Sequence, residues 1–344
     1  MDTESSATPA PLLEVKDLRT YFYTRSGTGR AVDGVSFTLN QGESLGLLGE
    51  SGCGKSMTSL SILRLVPRPA GRIVSGQVLF RGRDLLRISE QDMRRVRGRE
   101  IAMILQDPLS TLNPVFTIGN QVAEPLRVHG VVSRSRLWER VSKLLSLVRI
   151  PAPESRLRDY PHQFSGGMRQ RVVGATAIAA GPRLLIADEP TTSLDVTIQA
   201  QYLRLLKELQ RESNLSIIYI THDLATLARI CDRVAVMYAG KIVEQLTVEA
   251  LFERPAHPYT EALLQSVPRM DRKVHRFASI EGSPPLVYDL PPGCAFAPRC
   301  PRAMDICRSE SPPVTRLDAD HHVACWLHEK DEHDAHPAGS QERQ

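Results

Sequence analysis

Residues 43–56, ESLGLLGESGCGKS, decide the fold of this 344-residue chain. The apolar run at Glu43–Leu48 predicts a short buried strand, and Met57–Leu65 continues as a predicted helix. Between the two, residues 49–56 fit the pattern G-x-x-x-x-G-K-S/T. Its glycines allow backbone N–H groups to close around phosphates at the positive end of a helix. The sequence therefore predicts a phosphate-binding loop between strand and helix.

The side chains of this loop predict how a nucleoside triphosphate is bound. Lys55 would contact the β- and γ-phosphates, and Ser56 would ligate Mg²⁺. A chance glycine-rich turn is the alternative, which the flanking strand and helix disfavour. The residues predicted to bind ATP here are Gly49, Ser51, Gly52, Cys53, Gly54, Lys55, Ser56 and Met57.

Two acidic residues end a second apolar strand, in LLIADE at 184–189. Asp188 is predicted to bind Mg²⁺, and Glu189 is placed to orient or deprotonate the attacking water. Strand ends often carry acids, so this pair alone is weak evidence. Together with the phosphate-binding loop, it predicts a catalytic centre for ATP hydrolysis that includes Lys55.

A third motif, SGGMRQ at 165–170, begins another predicted helix. Ser165, Gly166 and Gly167 offer free N–H groups to an anion. A second phosphate site on the same chain makes sense if each nucleotide lies between two subunits. The alternative is an ordinary helix N-cap with a flexible entry.

Strands alternate with helices along most of the chain, which indicates an α/β fold with a mainly parallel sheet. Val234–Met237 and Lys241–Glu244, joined by Ala239-Gly240, predict a closing hairpin. After about residue 255, Pro, Arg and Cys replace the regular periodicity, and we place a domain boundary there. We expect a disordered N-terminus at 1–11, a nucleotide-binding domain at 12–255, a C-terminal region at 256–330 and a disordered tail at 331–344.

The bulk composition is that of an ordinary globular protein, with 42% hydrophobic residues and a formal net charge of +4. This basicity is too weak and too dispersed to argue for nucleic acid. No apolar run reaches the roughly 20 residues that span a membrane, and the first 11 residues lack the apolar core of a signal peptide. We expect a protein kept in the cytosol, with any membrane role supplied by a partner.

Five motifs follow one another along the chain: GESGCGKS, SGGM, LLIADE, SLD and HD. In this order, over about residues 12–255, they resemble the motifs of the nucleotide-binding subunit of ABC transporters. The resemblance implies a P-loop NTPase fold with an antiparallel β subdomain and a helical subdomain at about 107–180. It also implies that Phe22 stacks on adenine, although Tyr21 and Tyr23 are neighbouring candidates.

The same resemblance implies roles for three further positions. Gln106 would sense Mg²⁺ and the transmembrane partner, Asp195 would lie in the SLD loop that crosses the dimer interface, and His222 would contact the γ-phosphate. The family signature commonly reads LSGGQ, whereas Phe164 and Met168 stand at its ends here. Because the serine and both glycines are kept, we expect the signature to function.

Four longer strings resemble the oligopeptide/dipeptide importer family, which also serves some nickel and other small-solute importers: QDPLSTLNP (106–114), YPHQFSGGM (160–168), DEPTTSLDVTIQAQ (188–201) and HPYTEALL (257–264). The resemblance implies a motor at the cytoplasmic face of the cell membrane. Its partners would be a second, homologous ATPase subunit, two transmembrane permeases and an extracytoplasmic solute-binding protein. The rival class, soluble ABC-type ATPases acting on ribosomes or DNA, usually carries tandem domains or a long coiled coil. This chain has one motif set and no heptad array, so nucleic acid is not an expected partner.

Four of the six cysteines lie near the C-terminus: Cys294, Cys300, Cys307 and Cys325. Their spacing lacks the close C-x₂-C pairs of zinc sites and the short repeats of ferredoxins, and it does not choose between the two metals. Some dipeptide-importer ATPase subunits resemble this arrangement and hold a [4Fe-4S] cluster, which the resemblance favours here, with zinc and no metal as alternatives. The cysteine-rich C-terminal region also contains His321, His322 and His328, which we expect at the surface.

Overall fold

The computed structural model describes residues 10–106, 111–191, 194–266 and 280–329. The expected disordered segments therefore lie almost entirely outside the described residues. The described residues form twelve strands: β1 (Leu13–Thr24), β2 (Gly27–Leu39), β3 (Ser44–Leu48), β4 (Gly71–Phe80), β5 (Arg83–Asp84), β6 (Ile101–Ile104), β7 (Leu184–Asp188), β8 (Ser216–Thr221), β9 (Arg233–Tyr238), β10 (Lys241–Thr247), β11 (Thr315–Arg316) and β12 (His322–Val323).

Helices connect most of these strands. In the described ranges there are eleven α-helices: α1 (Lys55–Ile62), α2 (Glu90–Val96), α3 (Ile118–Val128), α4 (Leu137–Leu147), α5 (Pro153–Arg156), α6 (Gly166–Ile178), α7 (Val196–Ser213), α8 (Leu224–Ile230), α9 (Val248–Glu253), α10 (Pro258–Ser266) and α11 (Ile306–Ser309). In the part of the chain that the structure describes, no helix is both long and apolar enough to cross a membrane.

The strands form two sheets. The smaller one is antiparallel, with the order β2–β1–β4–β5. The larger one has the order β11–β12–β10–β9–β3–β8–β7–β6, and its five strands from β9 to β6 are parallel, as predicted. The two sheets give the fold of a mixed α/β protein.

The central strands of the large sheet are buried on both faces. Every residue of β3, β7 and β8 is buried. Leu185 and Tyr219 belong to one hydrophobic cluster, whereas their neighbours Ile186 and Ile220 belong to the other. Successive side chains of a strand point to opposite faces, so helices on one face and the small sheet with α1 on the other cover these strands completely.

The predicted hairpin is present between β9 and β10. Its two-residue turn, Ala239-Gly240, has positive φ angles of 47° and 82°, which matches the twist of a hairpin turn. Among the strands that were not predicted, β4 is the longest. β4 lies within residues 67–100, where Gly71 and Gly76 interrupt the alternation of apolar side chains, and it is held by pairing with the distant β1.

The C-terminal segment adds to the large sheet, because β12 pairs with β10. The expectation that His321 lies at the surface is wrong, because the residue directly precedes this paired strand and is buried. His321 is only 3% exposed, and its Nε2 lies 2.7 Å from a carboxylate oxygen of the buried Glu244. His322 and His328 are half-buried, and His328 Nε2 lies 2.9 Å from the carbonyl oxygen of Ala256.

Candidate active site

The candidate site lies at one edge of the large sheet. β3, β6, β7 and β8 run parallel, so their carboxyl ends share this edge. Residues 49–56 follow β3, Gln106 follows β6, Asp188 ends β7 and His222 follows β8. Open α/β sheets bind their ligands outside the carboxyl ends of their strands, so the topology brings the predicted residues to the place where a ligand would bind.

Two glycines allow the loop after β3 to pass close to neighbouring backbone. A methyl group on Gly49 would lie 2.3 Å from the carbonyl oxygen of Met237, and one on Gly54 would lie 2.4 Å from that of Ala31. Gly54 also has a φ of 106°, which side chains disfavour. Glycine is therefore required at both positions, and the loop can fold tightly over the start of α1.

The start of α1 is open to an anion. Gly54, its N-cap, provides no side-chain hydrogen bond, and the first N–H groups of a helix have no partner within the helix. Lys55 is 6% exposed, and its Nζ donates to the carbonyl oxygens of Gly49 at 2.6 Å and Glu50 at 2.9 Å. The ammonium group is thus held inside the loop, beside the free N–H groups.

Asp188 offers an unpaired oxygen next to this loop. It is 4% exposed, and its Oδ1 has no hydrogen-bond partner within the described residues. Burial raises the pKa of Asp188 and the charge of Glu189 adds to this, while a hydrogen bond from Ser56 and the charge of Lys55 act in the opposite direction. A buried carboxylate oxygen without a donor, beside a hydroxyl group, fits the oxygen ligands that Mg²⁺ prefers.

Glu189 joins three strands of the site through its carboxylate. Gln106 Nε2 donates to Oε2 at 3.1 Å, and His222 Nδ1 lies 3.0 Å from Oε1. Glu189 also has a positive φ of 44°, a backbone conformation that is uncommon for non-glycine residues. The structure therefore brings the side chains of Gln106, Glu189 and His222 together, and Gln106 is hydrogen-bonded to Glu189.

The three aromatic residues of β1 divide between the two faces of the sheet. Thr20 Oγ1 lies 2.7 Å from Ser61 Oγ in α1, and Phe22, two residues further along the strand, shares this face of the sheet. Tyr21 lies on the opposite face and donates to Asp33 at 2.7 Å. The guanidinium group of Arg72 lies over the ring of Tyr23. Phe22 is thus the aromatic residue directed to the side of α1.

The SGGM motif begins α6 and is not hydrogen-bonded to the phosphate loop of its own chain in the described residues. Ser165 is the N-cap of α6 and accepts a hydrogen bond from the N–H of Met168 at 3.3 Å. A methyl group on Gly167 would meet Ile198 of α7 at 2.7 Å, whereas one on Gly166 would meet nothing. Asp195 caps α7, and Ser193 lies outside the described residues. In the described ranges, no hydrogen bond or ion pair joins residues 165–167 to residues 49–57.

The four C-terminal cysteines line one small cavity, together with His257. Burial and the neighbouring cysteines raise the pKa of Cys325 to about 11, and burial raises the pKa of Cys294 and Cys300. Across the described ranges, no three His, Cys, Asp or Glu side chains are arranged to hold a metal ion. The four cysteines are therefore gathered around one space.

Sequence reasoning missed one set of contacts at the loop. Glu50, a variable position of the motif, donates its N–H to Tyr259 Oη at 2.9 Å and pairs its carboxylate with Arg299 at 2.7 Å. Arg299 is 249 positions away. No local pattern marks such a partner, and only the resemblance drew attention to Tyr259.

The fold and the site define an ABC-type P-loop nucleotide-binding domain. A family model described as "ABC transporter" matches residues 32–192, and one described as "Oligopeptide/dipeptide transporter, C-terminal region" matches residues 243–307. The dimeric structure of MJ0796, a bacterial ABC transporter cassette, is 25% identical with a TM-score of 0.61, and the match covers 69% of this chain and 98% of that one.

Curated relatives match nearly the whole chain. The probable peptide ABC transporter ATP-binding protein y4tR of Sinorhizobium fredii is 52% identical, over 92% of this chain and 94% of the relative. The dipeptide transport ATP-binding protein DppD of Bacillus subtilis is 50% identical, over 93% of this chain and 95% of the relative. The chain therefore belongs to the oligopeptide/dipeptide family of ABC transporter ATP-binding proteins, and it is an ATPase subunit.

Proposed function

We propose that this chain powers an importer that takes up dipeptides or oligopeptides across the cytoplasmic membrane. The observation that carries the proposal is the combination of the ATPase site with a C-terminal region. Residues 243–307 match the oligopeptide/dipeptide model, and the later strand β12 extends the same sheet. The relatives named above are described as peptide and dipeptide transport proteins, which supports the substrate class.

The site geometry supports a role for each predicted residue. Lys55 and the N–H groups of residues 49–57 bind the phosphates, and Phe22 stacks on adenine. Ser56 and Asp188 would hold Mg²⁺, with Gln106 as a further ligand, and the ion would neutralise charge on the phosphate oxygens. Glu189 orients the attacking water and accepts its proton, while His222 contacts the γ-phosphate.

A second subunit completes each ATP site in this proposal. Within the described residues, Ser165, Gly166 and Gly167 make no hydrogen bond with the phosphate loop of their own chain. The start of α6, with Ser165 exposed, suits the phosphates of a nucleotide bound by a partner. Asp195 lies near the same interface. We propose a homologous ATPase subunit as this partner, two transmembrane permeases and an extracytoplasmic solute-binding protein, with the chain at the cytoplasmic face of the membrane.

We propose the division of the chain that the sequence predicts, with a nucleotide-binding domain at 12–255, its helical subdomain at about 107–180, and a cysteine-rich C-terminal region at 256–330. The helices α3 to α6 support the helical subdomain. The pairing of β12 with β10 means that the two domains share one sheet.

Uptake by the assembled transporter tests the function. We expect vesicles that contain this chain and its co-purifying membrane partners to accumulate labelled peptides when ATP is supplied, and the Lys55→Ala variant to abolish this. Uptake of nickel ions without peptides would assign the same motor to another solute. ATP hydrolysis stimulated by ribosomes or DNA, with no uptake of either solute, would contradict the importer.

We also propose that Cys294, Cys300, Cys307 and Cys325 hold a [4Fe-4S] cluster, with zinc as the alternative. All four line one cavity, and a bound metal would displace the thiol protons and offset the repulsion between thiolates. Each thiolate of such a cluster binds its own iron, so the four sulfur atoms need not surround one ion. This accords with the described residues, where no three ligands are arranged for a single ion. The cluster would brace a segment that has little regular structure.

Metal analysis of the full-length protein tests this proposal. We expect iron and acid-labile sulfide after anaerobic purification, and loss of both in each of the four Cys→Ser variants. Hydrogen exchange should then increase after about residue 290. Cys231→Ser is the matched control, because Cys231 is buried outside this cavity, and it should keep its iron. Stoichiometric zinc without iron or sulfide would replace the cluster with a zinc site.

A further inference from the structure

The C-terminal region contacts the phosphate loop at Glu50, the second residue of the motif. The N–H of Glu50 donates to Tyr259 Oη at 2.9 Å. Its carboxylate accepts two hydrogen bonds from Arg299, at 2.7 Å from Nη1 and 3.2 Å from Nη2. This two-pronged geometry is the strong form of a charged hydrogen bond. Glu50 is therefore held through both its backbone and its side chain.

Both partners of Glu50 are themselves rigidly held. The side chain of Arg299 is 4% exposed. Its remaining N–H groups donate to the carbonyl oxygens of Glu281 and Ile280 and to the hydroxyl group of Tyr238. The ring of Tyr259 is fully buried and packs against Tyr238, with ring centres 4.6 Å apart. Side chains locked in this way can impose a position on the group they bind.

Glu50 in turn holds the lysine of the loop. Its carbonyl oxygen accepts a hydrogen bond from Lys55 Nζ at 2.9 Å, next to the bond that Gly49 accepts. A displacement of Glu50 would move this oxygen and the N–H groups that follow it in the loop. A continuous series of contacts thus runs from Arg299 and Tyr259 through Glu50 to Lys55.

We propose that Arg299 and Tyr259 are positioning residues for ATP binding, which hold the phosphate loop in its binding shape through Glu50. The proposal rests on the nucleotide site described under "Proposed function". Without these contacts the loop populates other shapes. The apparent affinity for ATP then falls in proportion to the fraction of chains whose loop can still bind ATP. Once ATP is bound, the loop is back in shape and the chemical step is unchanged.

Kinetics of the assembled transporter test the proposal. In the Arg299→Met variant we expect the Kd of a fluorescent ATP analogue and the KM for ATP to rise about tenfold, with kcat within about twofold of wild type, as expected when a charged hydrogen bond is lost from the free state. Arg299→Lys keeps the charge but loses the fork, and it should restore part of the affinity. Tyr259→Phe should also raise Kd.

Two comparisons separate positioning from a structural role. Glu50→Gln combined with Arg299→Met should cost no more affinity than either change alone, because both break one contact. Arg302→Met removes the ion pair with Glu261 in the same region and should leave Kd unchanged. A lower kcat with unchanged KM in both Arg299 variants, or additive effects in the double variant, would overturn the proposal. Failure of the wild-type chain to bind ATP would instead refute the proposed nucleotide site.

Discussion

The Glu189→Gln variant is expected to bind ATP with wild-type affinity and to hydrolyse it at least roughly 100-fold more slowly, which is the lower end of what a general base contributes. The amide keeps the shape of the side chain and one acceptor oxygen, but it cannot accept the proton of the attacking water. Mg²⁺ and phosphate contacts should be unaffected, because the residues proposed for them, Asp188, Ser56 and Lys55, are intact. Steady-state hydrolysis and nucleotide affinity in the assembled transporter measure the two effects separately.

A matched control for this variant is Glu208→Gln, which changes an exposed carboxylate paired with Arg149. Exposed pairs of this kind contribute little, so its turnover should equal that of wild type. Turnover near the wild-type rate in Glu189→Gln would remove Glu189 from the catalytic role.

Replacing Glu244 by alanine is expected to lower the free energy of unfolding of the C-terminal segment by about 3–5 kcal/mol, the cost of breaking a buried hydrogen-bonded charge. The carboxylate of Glu244 is 1% exposed. It accepts from the N–H groups of Ala256 at 2.7 Å and His257 at 3.1 Å, and it lies 2.7 Å from His321 Nε2. Alanine leaves all of these groups buried without an acceptor.

Hydrogen exchange and thermal unfolding measure this effect. In Glu244→Ala, amide protons near β12 and around residue 257 should exchange faster, and Glu244→Gln should lose less because one acceptor oxygen remains. Glu253→Ala, at an exposed position at the end of α9, provides the control. Unchanged protection near β12 in Glu244→Ala would show that the segment is held by other contacts.

The phosphate-binding loop could be predicted because its information is local. Residues 43–56 contain a buried strand followed by three glycines, a lysine and a serine. The glycines are needed for the backbone conformation of the loop, and the lysine and serine are predicted to bind the phosphates and Mg²⁺. The same holds for Asp188 and Glu189 at the end of β7, and for the turn at Ala239-Gly240, where the sequence pattern and the backbone conformation coincide. The motif order further indicated the family, which the comparisons confirm.

Other features depend on pairing between distant segments. Strand β4 was not predicted because its glycines interrupt the alternation of apolar side chains. It is held in place by pairing with β1. The aromatic residue on the side of α1 could not be selected from Tyr21, Phe22 and Tyr23 by spacing alone. The contact of Thr20 with Ser61 shows which face of β1 is directed to the helix.

The sequence by itself determined the ATPase chemistry, because a phosphate loop and its acidic partners are defined by residue types at short spacing. Only the tertiary structure decided that His321 is buried against Glu244 and that Arg299 reaches Glu50. A polar side chain looks the same in a sequence whether water or a buried partner satisfies it. The difference arises only when strands from distant parts of the chain pair and remove that side chain from water, so that its charge or hydrogen bonds must be met by a specific neighbour.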